Sequence, residues 1–275
     1  MGAIIMKLNT DDAHSATLEA SNSRRGGCQC ERNYRKLMFV HARNYLMIGI
    51  LAGMGPKSTG PFVDQVIASF QSITGAQNDI DFPPMVIYSL PTPFYVDRPI
   101  DHSLMQKTIC SGLKKLESWG ASFIAMPCNS AHQYFDNLQK SISIPLLNMI
   151  DLTLDACPQS DKKITIMGTR TTLGSQLFQG GLNKIHCKYE VHPHWQEKID
   201  AMILNVKSKT GLKSAVSIWE ELTHSFLEAD IDTIVLACTD LNVVLKDIHT
   251  QFRIIDASKC LSEAIVHKWL TFSPP

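Results

Sequence analysis

The sequence predicts an α/β fold with two pseudo-symmetric lobes, each a parallel sheet flanked by helices, and an active site in the cleft between them. First, short β-rich apolar runs alternate with longer helix-like segments from Tyr45 onward, a pattern typical of parallel α/β construction. Second, roughly one hundred residues are duplicated, too long a period for a solenoid. Third, each copy carries a cysteine at the end of an apolar run, at Cys128 and Cys238.

Several apolar runs have the length and composition of buried strands. They are nearly continuous, as expected of parallel strands that are covered on both faces. The candidate strands are LMIGILAG (46–53), MVIYSL (85–90), SFIAMP (122–127), IPLLNM (144–149), KITIMG (163–168), CKYEVH (187–192), DTIVLA (232–237) and FRIIDA (252–257).

Helix-like segments fill most of the gaps between these strands. Segment 104–120 ends on Gly120, and glycine often follows a helix because it adopts a left-handed conformation without steric cost. Segment 211–230 is its counterpart in the second half of the chain.

The two halves of the chain match element by element. Residues 114–151 and 224–258 both read as helix, strand, cysteine, helix, strand and aspartate. Residues 48–62 and 164–178 both read as strand, glycine-bearing turn with threonine, and helix. This duplication predicts two similar lobes related by a pseudo-twofold axis.

Residues 1–45 combine polar stretches with a basic run and show no sustained apolar period. We expect a disordered extension there, because such a segment buries too little apolar surface to fold. The rest of the chain is expected to form a first lobe of residues 46–150 plus 255–275 and a second lobe of residues 151–254.

Composition favours a small-molecule or protein partner over nucleic acid or an anionic membrane. The 26 basic residues balance the 26 acidic ones, so no global field attracts a polyanion. No window approaches the roughly 20 apolar residues that span a bilayer, and the amino terminus does not read as a secretory signal. We therefore expect a soluble cytoplasmic protein with no nucleic-acid or membrane partner.

The cysteine pattern predicts reduced thiols and no metal site. The 8 cysteines are spaced irregularly, unlike the dense framework of a small secreted domain. Cys28 with Cys30, and His192 with His194, are close in sequence, but neither pair has zinc-finger spacing.

Cys128 and Cys238 each stand where a strand gives way to a helix. Sites in open parallel sheets form at the carboxyl ends of the strands, so facing lobes would bring both thiols to one cleft. The positive end of the following helix favours the thiolate, whose pKa starts at about 8.5. One thiolate can then remove a proton from a carbon while the other thiol delivers one to the opposite face. This inverts the stereocentre without a cofactor.

A buried cysteine at a strand end is often only a small hydrophobe, and we prefer that interpretation for either thiol alone. Two thiols at duplicated positions favour catalysis. His132 lies one helical turn after Cys128. It either alters the reactivity of that thiol, or it only packs against its neighbours and caps backbone groups there. Hydroxyls and amides of the glycine-bearing turns would stabilise enolate charge if they face the cleft; the turns contain Gly53, Gly55, Ser58, Thr59, Thr169 and Thr171.

Four stretches resemble the aspartate/glutamate racemase family, which works without pyridoxal phosphate. They are IGILAGMGPKST (48–59), MPCNSAH (126–132), MGTRTT (167–172) and LACTDL (236–241). The resemblance implies an isomerase with two α/β lobes, no cofactor, a homodimeric assembly, and Cys128 and Cys238 as its acid/base pair. The candidate substrate-binding residues are Met54, Gly55, Arg98, Asn129, Ser130, Thr169, Thr171, Lys198 and Thr239.

Arg98 enters that set because family members acting on dicarboxylic amino acids hold the distal carboxylate with a cation after the second strand. Lys198 lies near the family's second basic position, or it is an ordinary solvated helix lysine. Two departures from the family pattern bear on substrate preference: Ser130 replaces the usual threonine, and Asp240 replaces the common glutamate.

The sequence therefore predicts an aspartate racemase that interconverts L and D forms by a two-base proton transfer at Cα. A glutamate or broad-specificity amino acid racemase is the first alternative. A non-catalytic two-lobed amino acid sensor is the second, and it would bind its ligand without solvent deuterium appearing at Cα.

Overall fold

The computed structural model describes residues 46–94, 99–158, 162–207, 212–245 and 249–271. The expected extension, residues 1–45, lies outside these ranges. The described residues belong to one compact unit. None of the helices within them has both the length and the apolar character that a membrane crossing requires.

The first sheet contains three parallel strands, β1 (Met47–Ala52), β2 (Met85–Ser89) and β3 (Ala121–Ala125), in the order β2-β1-β3. The central strand, β1, is buried along almost its whole length, which explains its continuous apolar sequence. Successive side chains enter clusters on opposite faces of the sheet, as Ile50 and Leu51 do.

The second sheet contains three parallel strands, β4 (Lys163–Gly168), β5 (Ile231–Ala237) and β6 (Arg253–Asp256), in the order β4-β5-β6. The central strand, β5, has an apolar and buried carboxyl half, like β1 in the first sheet. Two parallel sheets flanked by helices confirm the predicted fold class.

The predicted strand 144–149 is wrong in extent, because it contributes a single bridge between Leu146 and Ile124 of β3. Pro145 precedes the bridge and has no N–H to donate. Two residues after the bridge, the side chain of Asn148 accepts hydrogen bonds from the first N–H groups of the next helix. The chain therefore turns helical before a ladder can form.

The predicted strand 187–192 is likewise reduced to one bridge, between Tyr189 and Ile164 of β4. The next helix begins at Pro193, which ends the extended segment. With both bridges included, the two sheets have equivalent orders: β2, β1, β3 and Leu146 in the first, and Tyr189, β4, β5 and β6 in the second.

Helices cover both sheets, as expected. The predicted helix 104–120 is observed at His102–Ser118, and Gly120 follows it with a φ of +91°. The predicted helix 211–230 is observed at Leu212–Glu228. The described helices are α1 (Thr59–Thr74), α2 (His102–Ser118), α3 (Phe135–Lys140), α4 (Met149–Asp155), α5 (Arg170–Gly174), α6 (Leu177–Lys184), α7 (Pro193–Lys207), α8 (Leu212–Glu228), α9 (Asn242–Leu245) and α10 (Ala257–Thr271).

The chain returns to the first sheet at its carboxyl end. Strand β6 pairs with β5 in the second sheet, whereas α10 packs against α1 on the first. Ile265 and Val266 of α10 join Phe62 and Phe70 of α1 in one buried cluster. On this basis we propose lobe boundaries near Asp256, consistent with the division expected from the duplication.

Candidate active site

A cavity of about 490 Å³ lies at the carboxyl ends of β1, β3, β4 and β5. Turns from both lobes line it, as expected for a site in parallel α/β sheets. Cys128 lines it from the first lobe and Cys238 from the second. The predicted substrate-binding residues that also line it are Met54, Gly55, Asn129, Ser130, Thr169, Thr171 and Thr239.

Cys128 is half-buried and lies between β3 and a 3₁₀ turn at Ser130–Tyr134. Its backbone N–H donates to the carbonyl oxygen of Met126 at 2.8 Å, so the chain bends sharply at the thiol. Its Sγ lies 3.7 Å from Oγ of Ser130. The polar residues after the strand therefore end the sheet and leave the thiol at the cavity wall.

Cys238 directly follows β5 and is 9% exposed. Its carbonyl oxygen accepts a hydrogen bond from the N–H of Leu241 at 3.1 Å, which closes a tight turn. Within this turn, Oδ1 of the buried Asp240 is 3.7 Å from the position that a Cβ on Gly55 would take. The second thiol is thus carried by a turn that faces the glycine-bearing turn of the first lobe.

Asn129 is the polar side chain best placed to receive a ligand. It is 4% exposed, and within the described residues neither its Oδ1 nor its Nδ2 has a hydrogen-bond partner. A buried amide left unpaired in this way costs about 1–3 kcal/mol. A ligand that offers both a donor and an acceptor would remove that cost, and a zwitterionic amino acid offers both.

The glycine-bearing turns are fixed by local contacts. Thr169 caps α5 by accepting a hydrogen bond from the N–H of Thr172 at 3.1 Å, and Thr171 lies in the first turn of that helix. In the first lobe, Gly53 has a φ of +94°, and a Cβ there would lie 2.6 Å from the backbone N and O of Leu90. Only glycine fits at this position of the cavity wall.

Of the two predicted basic substrate-binding residues, only Lys198 lies among the described residues. Arg98 lies outside the described residues, and its role stays a prediction. Lys198 is on α7, where its Nζ lies 2.7 Å from Oε2 of Glu221 on α8, and it is not among the cavity-lining residues. Lys57 does line the cavity, and its Nζ donates to the carbonyl oxygen of Val206 at 3.0 Å.

Sequence reasoning missed one wall of the cavity. Tyr134 lines it, and its hydroxyl is hydrogen-bonded to Nδ1 of His102 at 2.6 Å. Burial, followed by the charges of Asp101 and Cys128, raises the pKa of Tyr134. Its position shortly after Cys128 was the available signal, but the contact with α2 is not readable from sequence. The apolar residues of this wall are Pro91, Phe94, Ile100 and Met105.

Sequence comparison identifies relatives that cover most of the chain. The family profile described as Asp/Glu/Hydantoin racemase matches residues 51–265. The broad specificity amino-acid racemase RacX of Bacillus subtilis (strain 168) is 44% identical over 227 residues, which is 82% of this chain and 99% of that protein.

Comparison with solved structures also finds racemases. An aspartate racemase of Picrophilus torridus matches with a TM-score of 0.69 and 28% identity, covering 82% of this chain and 94% of that chain. An aspartate racemase homologue of Pyrococcus horikoshii OT3, at 21% identity and a TM-score of 0.67, shares the fold and covers 82% of this chain and 99% of that chain. The chain therefore belongs to the Asp/Glu/hydantoin racemase family and is an amino acid racemase, an isomerase.

Proposed function

We propose that Cys128 and Cys238 are the two bases of a cofactor-independent amino acid racemase. The observation that supports this most directly is that thiols from both lobes line one cavity. One thiolate removes the Cα proton and becomes a thiol, which leaves a planar enolate. The opposite thiol then protonates the other face and becomes the thiolate. The reverse reaction uses the same groups in exchanged roles, so protons balance in both directions.

The chemical difficulty is the weak acidity of the amino acid Cα, so the site must stabilise enolate charge as it develops. The unpartnered amide of Asn129 supports this role, because its Nδ2 is a buried donor at the cavity wall. Hydroxyls of Ser130 and Thr171 line the same cavity. We propose that these groups hold the substrate carboxylate, while Oδ1 of Asn129 accepts from the substrate ammonium.

The test of the two-base proposal is racemisation in heavy water, followed by chiral chromatography and mass measurement. We expect the wild type to place one deuterium at Cα of the inverted product. Cys128→Ser and Cys238→Ser are each expected to lose inversion with the fold intact. Cys110→Ser is the matched control, because this half-buried cysteine lies on α2 and is not a cavity-lining residue. Full racemisation by either cavity variant would overturn the proposal.

For the substrate, we propose a range of amino acids that includes apolar side chains. The cavity of about 490 Å³ is larger than aspartate requires, and one wall is apolar around Phe94, Ile100 and Met105. The similarity to a broad specificity racemase supports the same conclusion. A panel of L-amino acids in heavy water tests it, and turnover of aspartate alone would contradict it.

Aspartate is the second candidate, supported by Arg98 in the sequence and by the similarity to the Picrophilus torridus enzyme. If Arg98 binds a distal carboxylate, Arg98→Ala should raise KM for aspartate about tenfold or more, since hydrogen bonds to charged groups contribute about 1.5–3 kcal/mol. KM for methionine should stay within about twofold. Equal effects on both substrates would remove this candidate.

We also propose a homodimer in the cytoplasm, as the sequence predicts. Among the described residues, Cys110, Cys157, Cys187 and Cys260 are free thiols, which is consistent with a reducing compartment. Sedimentation analysis of the purified protein and fractionation of the source cells test the two statements separately.

A further inference from the structure

Two turns from different lobes are joined by a chain of hydrogen bonds. The hydroxyl of Thr239 donates to Oγ of Ser58 at 3.1 Å, although the two residues are 181 positions apart. The hydroxyl of Ser58 in turn donates to the carbonyl oxygen of Gly55 at 2.8 Å. Ser58 and Thr239 are 7% and 9% exposed, so water competes little for these bonds.

This chain of hydrogen bonds lies beside both reacting groups. Thr239 directly follows Cys238, and Gly55 lines the cavity together with Cys128. Ser58 follows β1, which pairs directly with β3, the strand that precedes Cys128. The Ser58–Thr239 bond therefore connects the rigid sheet behind one thiol to the turn that carries the other.

We infer that Ser58 is a positioning residue, which sets the placement of Cys238 relative to Cys128 through Thr239. This inference rests on the proposed two-base function. Inversion requires both sulfur atoms to lie about 3.5 Å from Cα on opposite faces, and a misplacement of about 1 Å can cost about a hundredfold in rate. The hydroxyl proton of Thr239 is committed to Ser58, so the structure assigns this hydroxyl to the contact between the lobes.

The inference predicts a specific change in the fate of the Cα proton. With both thiols in place, an enolate formed by Cys128 is protonated by Cys238 and becomes product. If Cys238 is displaced, the Cys128 thiol exchanges its proton with solvent deuterium and returns a deuteron to the same face. Deuterium then appears in the starting enantiomer without inversion. The enantiomer that Cys238 deprotonates should show no such increase, because Cys128 keeps its position.

The experiment uses Ser58→Ala in heavy water with each pure enantiomer in turn. We expect inversion to slow by about tenfold or more. For one enantiomer only, the ratio of deuterium in recovered starting material to deuterium in product should rise several-fold. Ser141→Ala is the matched control, because Ser141 makes the same local bond, to the carbonyl oxygen of Leu138 at 2.7 Å, and does not line the cavity.

A second pair of variants keeps the inference testable if Ser58→Ala folds poorly. Thr239→Val removes the hydrogen-bond donor and should raise the same deuterium ratio. Thr239→Ser keeps the hydroxyl and should leave that ratio at the wild-type value. An unchanged ratio for both enantiomers in Ser58→Ala and Thr239→Val would overturn the inference. Failure of the two-base function is distinguishable, because Cys128→Ser or Cys238→Ser would then still racemise fully, whatever the ratio in Ser58→Ala.

Discussion

His132 donates a hydrogen bond from Nδ1 to the carbonyl oxygen of Cys128 at 2.8 Å. The proton is on Nδ1 because the backbone N–H of Met149 donates to Nε2 at 3.0 Å, which makes Nε2 an acceptor. The neutral ring therefore ties the segment carrying the first thiol to the start of α4. Of the two roles that sequence left open, this geometry supports packing and capping of the Cys128 backbone.

The burial of His132 predicts a pH-dependent stability. Burial lowers the pKa of His132, against the opposing effect of its backbone hydrogen bonds. Below about pH 6.5 the unfolded chain binds a proton that the folded chain does not, so the free energy of unfolding falls as the pH drops. We expect this histidine to contribute a slope of about 1.4 kcal/mol per pH unit there. Urea unfolding between about pH 5 and about pH 8, a range that brackets the usual pKa of histidine, measures this slope.

The comparison for that measurement is His132→Asn, which lacks a titrating group at this position. Its stability should be lower than that of the wild type at neutral pH, and its slope below pH about 6.5 should be shallower. Equal slopes in the two proteins would contradict the prediction.

Gly53→Ala is expected to destabilise the protein and reduce activity together. The φ of +94° and the 2.6 Å approach to Leu90 leave no room for a Cβ. We expect the free energy of unfolding to fall by at least about 2 kcal/mol. Gly60→Ala on α1 is the matched control: a Cβ there meets nothing within 4 Å, and alanine should add about 0.5 kcal/mol of stability. Thermal unfolding and racemisation rates of both variants test these two expectations, and a Gly53→Ala protein as stable and as active as Gly60→Ala would contradict them.

The cysteines should differ in reactivity. Burial, with smaller effects of Cys187 and Cys260, raises the pKa of Cys157 to about 12. Burial and then the charge of Asp256 raise the pKa of Cys260 to about 11. At pH about 8, only about one Cys157 side chain in ten thousand is a thiolate. We expect iodoacetamide to modify Cys128 before Cys157 and Cys260, and a substrate amino acid to protect Cys128.

Peptide mass mapping after timed alkylation measures that difference, with and without substrate. Modification of Cys157 at the same rate as Cys128 in the folded protein would show that burial does not separate these thiols.

Glu117 should stabilise the junction between α2 and the segment after α3. Its Oε1 accepts hydrogen bonds from Oγ and N of Ser143, both at 2.6 Å, and these bonds lower the pKa of Glu117. A lowered pKa means that this stabilisation is present above the unfolded value of about 4.3 and is lost as pH falls through the folded value. Glu117→Ala should cost about 1 kcal/mol at neutral pH, measured by urea unfolding. A loss that persists unchanged at pH about 3 would contradict this.

Two errors in the predicted strands have one cause. The runs 144–149 and 187–192 are as apolar as real strands, but each is followed at once by a helix start that limits it to a single bridge. Competition between neighbouring elements decided these cases, and a local pattern does not contain that competition.

The sequence by itself determined the α/β class, the duplicated strand–cysteine–helix units, and the placement of Cys128 and Cys238 at strand ends. Apolar period and covalent spacing specify these features locally. Only the tertiary structure decided that both thiols line one cavity, that Thr239 bonds to Ser58, that His132 holds the Cys128 backbone, and that Tyr134 completes a wall. These contacts join residues from separate elements, so they depend on the packing of the elements rather than on the order of the residues.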